Sequence, residues 1–267
     1  MENEKSLSPR KTDVFYCPVG NEIEVFETCR KLSLPMLLKG PTGCGKTRFV
    51  EAVAASHEQE LIKVSCNEDT SVSDLLGRYL LKGGDTVWMD GPVTQAVRKG
   101  CMLYLDEVAE AREDVLVVLH ALTDHRREIY LDRTGEVLRA PPSFMLIASY
   151  NPQYQSKFRE MKPSTRQRFV TVSFSYPDFE KEVAIVAKES GLSAKAAEPW
   201  VKLAGNIRNL KDLCLQETVS TRLLIYCAKL VRNGLPERLA GEVALVQPLS
   251  DDPVVVTALK ELIYLKF

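Results

Sequence analysis

The chain has 267 residues, enough to bury a sizeable core in one large or two ordinary domains, and its 35 basic and 36 acidic residues nearly cancel, which excludes a global field for nucleic acid or acidic membranes. The apolar runs are too short to span a bilayer, so no membrane insertion is expected, and the polar N-terminus lacks a signal-peptide core. Cys17, Cys29, Cys44, Cys66, Cys101, Cys214 and Cys227 are scattered without a C-x-x-C pair, which suits a reducing cytoplasm better than a disulfide framework.

Residues 1–13 are polar and are expected to be flexible. Phe15-Tyr16-Cys17-Pro18-Val19-Gly20 is an apolar hook ending in turn residues. Asn21 can then cap a helix through Leu32, in which Ile23, Phe26 and Cys29 share a face. A short strand-like run, Pro35-Met36-Leu37-Leu38-Lys39, leads into Gly40-Pro41-Thr42-Gly43-Cys44-Gly45-Lys46-Thr47, a full match to G-x-x-x-x-G-K-[ST]. The following residues, 48–55, have helical spacing. Strand, glycine-rich turn and helix form the context that confirms a phosphate-binding loop.

The residue types follow from the chemistry. Phosphates need several N–H donors close by, and glycines let the backbone curl around them. The start of the next helix adds unpaired N–H groups and the positive end of its dipole. Lys46 supplies charge to the terminal phosphates and the Thr47 hydroxyl a ligand for Mg2+, while Cys44 fills a variable position.

A second strand covers 61–65, followed by the acidic turn Asn67-Glu68-Asp69. A helix can begin at Ser73 and breaks at Lys82-Gly83-Gly84-Asp85-Thr86, a turn flanked by apolar runs. That pattern reads as a hairpin inserted in a helical region, with Trp88 either a core anchor or an exposed contact residue. Gly91-Pro92 restarts a helix to Lys99.

Cys101-Met102-Leu103-Tyr104-Leu105 is an apolar strand ending in Asp106 and Glu107. Strands of this class end at the ligand crevice, so Asp106 can hold magnesium and Glu107 can polarise an attacking water. The pair favours a hydrolase over a phosphate transferase. The spacing predicts a helix over 111–123 with Val115, Leu116, Val118, Leu119 and Leu122 inward. His120 reads as a packed histidine, and no histidine is assigned to catalysis. Residues 126–138 read as a second hairpin around Asp132-Arg133-Thr134-Gly135. The strand over 144–149 ends near Asn151, which either senses a γ-phosphate or caps the chain locally. Arg166 and Arg168 precede a last strand, 170–174, and are either surface charge or fingers reaching a neighbouring subunit's nucleotide. A boundary falls at 175–178. Beyond it helices are expected over 179–189, 194–203, 221–230 and 254–265, with connecting segments at 206–216 and 248–253.

The ordered set Gly40 to Thr47, Leu103 to Glu107, Asn151 and Arg166/Arg168 resembles an AAA+ ATPase. The two hairpins point to its MoxR branch, and LLKGPTGCGKTRFVE, SDLLGRYLLKGG, LTDHRR, SYNPQYQS and KPSTRQRF resemble the CbbQ/NorQ subgroup. The resemblance implies an α/β core over 1–177 with a five-stranded parallel sheet ordered 5-1-4-3-2 and an all-helical lid over 178–267. It implies ATP and Mg2+ as cofactors, with Asn151 as sensor 1, Arg168 (with Arg166) as arginine finger and Arg222 as sensor 2. It further implies a homo-hexameric ring with a CbbO-type von Willebrand A domain adaptor; no nucleic-acid partner is expected, because the net charge is near zero and no DNA-reading element is recognisable. In such pairs the client is inhibited Rubisco, from which sugar phosphates are released; in NorQ-like members it is nitric oxide reductase, which receives its non-haem metal. Asn21-Glu22-Ile23, Asn67-Glu68-Asp69 and Ile207-Arg208-Asn209-Leu210-Lys211 look more like the Rubisco-linked branch.

Overall fold

The computed structural model describes residues 14–152, 161–210 and 217–267. The N-terminal segment expected to be flexible, Gln153 to Ser156 of the SYNPQYQS motif, and 211–216 of the connecting segment lie outside the described residues.

The chain opens with α1 (Glu22–Leu32), β1 (Met36–Lys39), α2 (Lys46–Ser56) and β2 (Leu61–Ser65). It continues through α3 (Val72–Leu76), β3 (Gly77–Lys82), β4 (Asp85–Asp90), α4 (Pro92–Lys99) and β5 (Met102–Asp106). After a 3-10 turn at Val108–Glu110 come α5 (Glu113–Thr123), β6 (Glu128–Leu131), β7 (Glu136–Arg139), β8 (Met145–Tyr150), α6 (Pro163–Arg166) and β9 (Val170–Ser173).

Among the described residues a five-stranded sheet runs β2-β5-β8-β1-β9, with every neighbouring pair parallel. Numbered by the sheet's own strands, that is 5-1-4-3-2 read from the β9 edge. Strand alternation sends Leu37, Leu103, Leu105, Leu146 and Ala148 into one apolar layer. Met36, Leu38, Met102, Tyr104, Met145 and Ile147 enter the other, with Phe26, Phe49 and Val50 of the covering helices. Both faces are therefore dry, as βαβ crossovers require, and β8 is buried along its whole length.

The two hairpins stand outside this sheet, β3 with β4 and β6 with β7, both antiparallel. The Tyr79 hydroxyl donates to the Arg133 carbonyl (3.2 Å), tying one to the other. Trp88 lies between its two expected roles: it is half-buried, edge-on to Tyr79, with Nε1 donating to Asp90 Oδ1 at 2.6 Å. Leu81, 83% exposed, and Met89, 57% exposed, point outward.

The C-terminal part is helical: α7 (Phe179–Ser190), α8 (Ala194–Asn209), α9 (Thr221–Arg232), α10 (Glu237–Gly241), a π-turn at Glu242–Val246, and α11 (Pro253–Tyr264). These helices share their own apolar core around Trp200, whose ring stacks on Phe267 with centroids 4.0 Å apart. Asp178, Ser193, Ser220 and Asp252 cap α7, α8, α9 and α11 through their side chains. None of the described helices is long and apolar enough to cross a membrane.

Several expectations are corrected. Helix α8 does not stop at Leu203: 206–209 form its last turn, because Ile207 is buried in the lid core and Arg208 is tied into it. Asn21 makes no side-chain cap. The carboxylate of the next residue, Glu22, reaches back instead, accepting from the Val19 and Gly20 N–H groups at 2.7 Å each. Helix α5 begins at Glu113, since the 3-10 turn occupies the residues before it. Helix α10 and its π-turn were not foreseen.

Candidate nucleotide-binding site

The loop from Gly40 to Thr47 leaves the carboxyl end of β1 and curls into α2. Gly43 (φ 69°) and Gly45 (φ 101°) supply the left-handed turns that bring successive N–H groups to one side. Phe49 N–H bonds back to the Gly45 carbonyl at 2.9 Å, starting the helix at the loop. Lys46 Nζ donates to the Gly40 and Pro41 carbonyls at 2.7 and 2.8 Å, and burial lowers its pKa, partly offset by the Asp106 and Glu107 charges. Cys44 Sγ packs inward on the Pro41 carbonyl at 3.0 Å, and burial pushes its thiol pKa up. That environment opposes the thiolate, so Cys44 is a packing residue of the loop.

Parallel pairing brings the carboxyl end of β5 beside the loop. Asp106 Oδ2 lies 3.3 Å from Thr47 Oγ1. Its Oδ1 accepts from the Tyr104 hydroxyl (2.9 Å) and from Ser149 Oγ. Glu107 follows at a left-handed backbone angle unusual for a non-glycine residue (φ 54°), and its N–H donates to Ser149 Oγ at 3.3 Å. Burial, then the charges of Asp106 and Glu110, raise its carboxyl pKa. Asn151, just past β8, donates from Nδ2 to Thr42 Oγ1 (3.1 Å) and Glu217 Oε1 (3.4 Å).

The helical part closes the other wall. The Tyr176 hydroxyl donates to the Thr42 carbonyl at 3.1 Å. A Cβ at Gly43 would lie 2.7 Å from Ser220 Cβ and 3.3 Å from Arg222 Cβ, so the start of α9 rests directly on the phosphate-binding loop. The open cleft between them is about 450 Å³, and its lining includes Lys46, Thr47, Asp106, Glu107, Asn151 and Arg222.

The lining also holds an apolar group, Phe15, Tyr16 and Val19 of the hook with Ile185 of α7 and Ile225 and Tyr226 of α9, beside the charged Arg48, Glu51, Glu189 and Lys229. The hook is fixed by Glu22, only 3% exposed, which also accepts from the Tyr16 hydroxyl at 2.6 Å. Burial alone would raise its pKa; the Tyr16 and backbone hydrogen bonds outweigh it and hold the carboxyl below its ordinary value.

Structure thus brings Thr42 to Thr47, Asp106, Glu107, Asn151 and Arg222 to one cavity, while Gly40 and Pro41 stand behind its lining and hold Lys46 through their carbonyls. Arg166 and Arg168 are elsewhere, around α6: Arg168 Nη1 is 3.9 Å from Asp124 Oδ2. Asp124 is itself held down to about 2, chiefly by its hydrogen bond from Arg126. His120 is a packed residue, Nε2 3.0 Å from Thr165 Oγ1. Sequence reasoning missed the Tyr104–Ser149 pair, Tyr176 and the apolar group. The aromatic within an otherwise aliphatic strand before Asp106 was a usable signal for the first.

The residues fit a nucleotide and its cation. Among the described residues no group of three or more His, Cys, Asp or Glu side chains could hold a metal ion. Thr47 Oγ1 and Asp106 Oδ2 are hard oxygens, suited to Mg2+, which fills its remaining positions with water and phosphate oxygens.

Known proteins agree with this geometry. Residues 35–169 match the AAA domain (dynein-related subfamily), and residues 182–265 match the CbbQ/NirQ/NorQ C-terminal family. The chain is 56% identical to protein NorQ of Paracoccus denitrificans, across 93% of this chain and 92% of that protein. It is 52% identical to the denitrification regulatory protein NirQ of Pseudomonas aeruginosa (95% and 98% covered). Identity to protein CbbQ of Hydrogenophilus thermoluteolus is 49%, with 94% of each covered. A crystal structure from Cytophaga hutchinsonii superposes with a TM-score of 0.53 over 93% of this chain and 90% of that one, at 16% identity, a likeness of fold.

Proposed function

The chain belongs to the CbbQ/NirQ/NorQ family of AAA+ ATPases, and from that premise we propose a magnesium-dependent, ATP-hydrolysing motor that remodels a denitrification reductase during its maturation. The observation that carries the motor reading is the contact of the α9 start with Gly43, so that whatever fills the loop also sets the lid.

In this reading the loop N–H groups and Lys46 bind the β- and γ-phosphates of ATP, and Thr47 and Asp106 hold Mg2+. The bound cation offsets charge on the phosphates. Glu107, whose carboxyl pKa is raised by burial and by the neighbouring Asp106 and Glu110 charges, accepts a proton from the attacking water. Asn151 orients that water, and Arg222 brings the lid onto the γ-phosphate. Arg166 and Arg168, outside their own cavity, serve the nucleotide of the adjacent subunit in a homo-hexameric ring. A von Willebrand A domain adaptor joins the ring to its client, with the paired hairpins carrying lid motion outward.

For the client, the identities of 56% and 52% to NorQ and NirQ, against 49% to CbbQ, support nitric oxide reductase over the Rubisco-linked branch that local motifs suggested. Rubisco remains the second reading because CbbQ is matched across 94% of both chains. The experiment supplies the chain, its adaptor, ATP and Mg2+ to metal-free nitric oxide reductase and, separately, to sugar-phosphate-inhibited Rubisco. ATP-dependent metal loading of the reductase, lost in Glu107→Gln, is expected. Reactivation of Rubisco alone would move the client to the second reading, and failure of both with an active ATPase would overturn both clients.

A further inference from the structure

Beneath the Thr47–Asp106 pair lies a buried polar cluster that nucleotide binding alone does not require. Tyr104 is 1% exposed and Ser149 is fully buried, one on β5 and one on β8, and both side chains converge on Asp106. In a strand otherwise packed with aliphatic residues, two inward hydroxyls carry a desolvation cost unless they are bonded.

Here they are bonded, and in a way that divides the carboxylate. Ser149 Oγ donates to Asp106 Oδ1, and the Tyr104 hydroxyl, 2.9 Å from that Oδ1 and 3.0 Å from Ser149 Oγ, gives its single proton to the carboxylate as the stronger acceptor. Only Oδ2 faces Thr47 Oγ1, at 3.3 Å. Ser149 Oγ has its lone pair used as well, by the Glu107 N–H at 3.3 Å, so one hydroxyl fixes both the carboxylate and the backbone of the next acid. The Tyr104 oxygen lies 3.3 Å from Thr47 Oγ1, where it can take the Thr47 proton when that hydroxyl turns a lone pair outward.

We propose that Tyr104 and Ser149 are positioning residues for the divalent cation: they saturate Asp106 Oδ1, lock its rotamer, and leave Oδ2 and the Thr47 lone pair as a preset pair of oxygens. The inference rests on the reading of Thr47 and Asp106 as the cation-holding residues. Groups that orient a ligand in this way govern metal affinity by about 10- to 100-fold.

The test uses the full chain with Tyr104→Phe, Ser149→Ala and the double variant. Calorimetry measures ADP binding without divalent cation, then ATP binding across a Mg2+ titration. The expected result is unchanged cation-free ADP affinity with about a tenfold rise in half-saturating Mg2+ for each single variant. A half-saturation within about twofold of the parent in both would overturn the inference, as would equal weakening of cation-free ADP binding, which marks a general packing loss. A parent protein whose ATP binding ignores Mg2+ would overturn the cation reading and this inference together. If Ser149→Ala melts below the assay temperature, Tyr104→Phe, which keeps the ring, decides alone.

Discussion

At one end of the cavity Asp106, Glu107 and Asn151 stand at or just beyond the carboxyl ends of β5 and β8, and the phosphate-binding loop leaves β1. At the other end the walls come from the Phe15 to Val19 hook and from α7 and α9 of the helical part. The first end is dense in hydrogen bonds, and its geometry is set by sheet register. The second mixes apolar side chains with Glu189 and Lys229, and its shape depends on three segments far apart in sequence. One end is thus equipped for chemistry before the lid moves, while the other exists only when hook and lid meet. The contrast predicts that substitutions at the phosphate end remove turnover or binding outright, and that those at the hook end grade affinity.

Glu107→Gln should give the largest effect. Turnover should fall by about 10²- to 10⁴-fold, measured by phosphate release, because the amide cannot accept the proton. ATP affinity should survive, and its collapse would mean that Glu107 shapes the loop instead. The same carboxyl sets the pH dependence. Its pKa is raised above the ordinary 4.5, and it works only when ionised. Turnover should therefore fall as pH drops through a value above 4.5, and an acid limb at or below it would remove Glu107 as the base.

Lys46→Ala should weaken ADP binding by about a hundredfold, near 2.7 kcal/mol, in calorimetry. Unchanged affinity would break the assignment of this end to phosphates. Arg168→Ala should lower turnover in a uniform ring, by less than Glu107→Gln does, and leave ADP affinity intact, since the side chain lies by Asp124 and outside its own cavity. In verified mixed rings with Glu107→Gln subunits, activity should partly return. No recovery would leave the finger without a trans role.

The same contrast explains what the sequence disclosed. Motifs of contiguous residues with strand or helix periodicity on either side were legible: the loop, the strand ending in Asp106 and both hairpins; the sheet order came from the family resemblance. Arg222 and Asn151 needed family resemblance, since a lone arginine or asparagine has no local pattern, yet both line the cavity. Arg208 was placed in a connecting segment because Gly205 and Asn206 precede it. Its helical turn is held by long-range contacts: a bidentate pair with Glu182 at 2.7 and 2.8 Å, and a ring contact with Tyr176 at 4.1 Å. The hook reads from sequence only as an apolar stretch with turns, because nothing local joins Tyr16 to Ile225.

The smallest expected effect separates the two ends most sharply. Glu22 touches nothing at the phosphate end. It ties the hook to α1 through three hydrogen bonds, from Tyr16, Val19 and Gly20. Glu22→Gln has one acceptor oxygen where the carboxylate has two, and it loses the charge that strengthens these bonds, about half of the strength of each. The hook should loosen and ADP affinity should fall by about three- to tenfold, since each 1.4 kcal/mol is a factor of ten. Half-saturating Mg2+ should stay at the parent value, because Thr47 and Asp106 are untouched. If instead the Mg2+ requirement rises with the loss of ADP affinity, the two ends are one mechanical unit, and the hook then acts through α1 and the Tyr16–Phe49 ring contact (5.6 Å) on the helix that follows the loop.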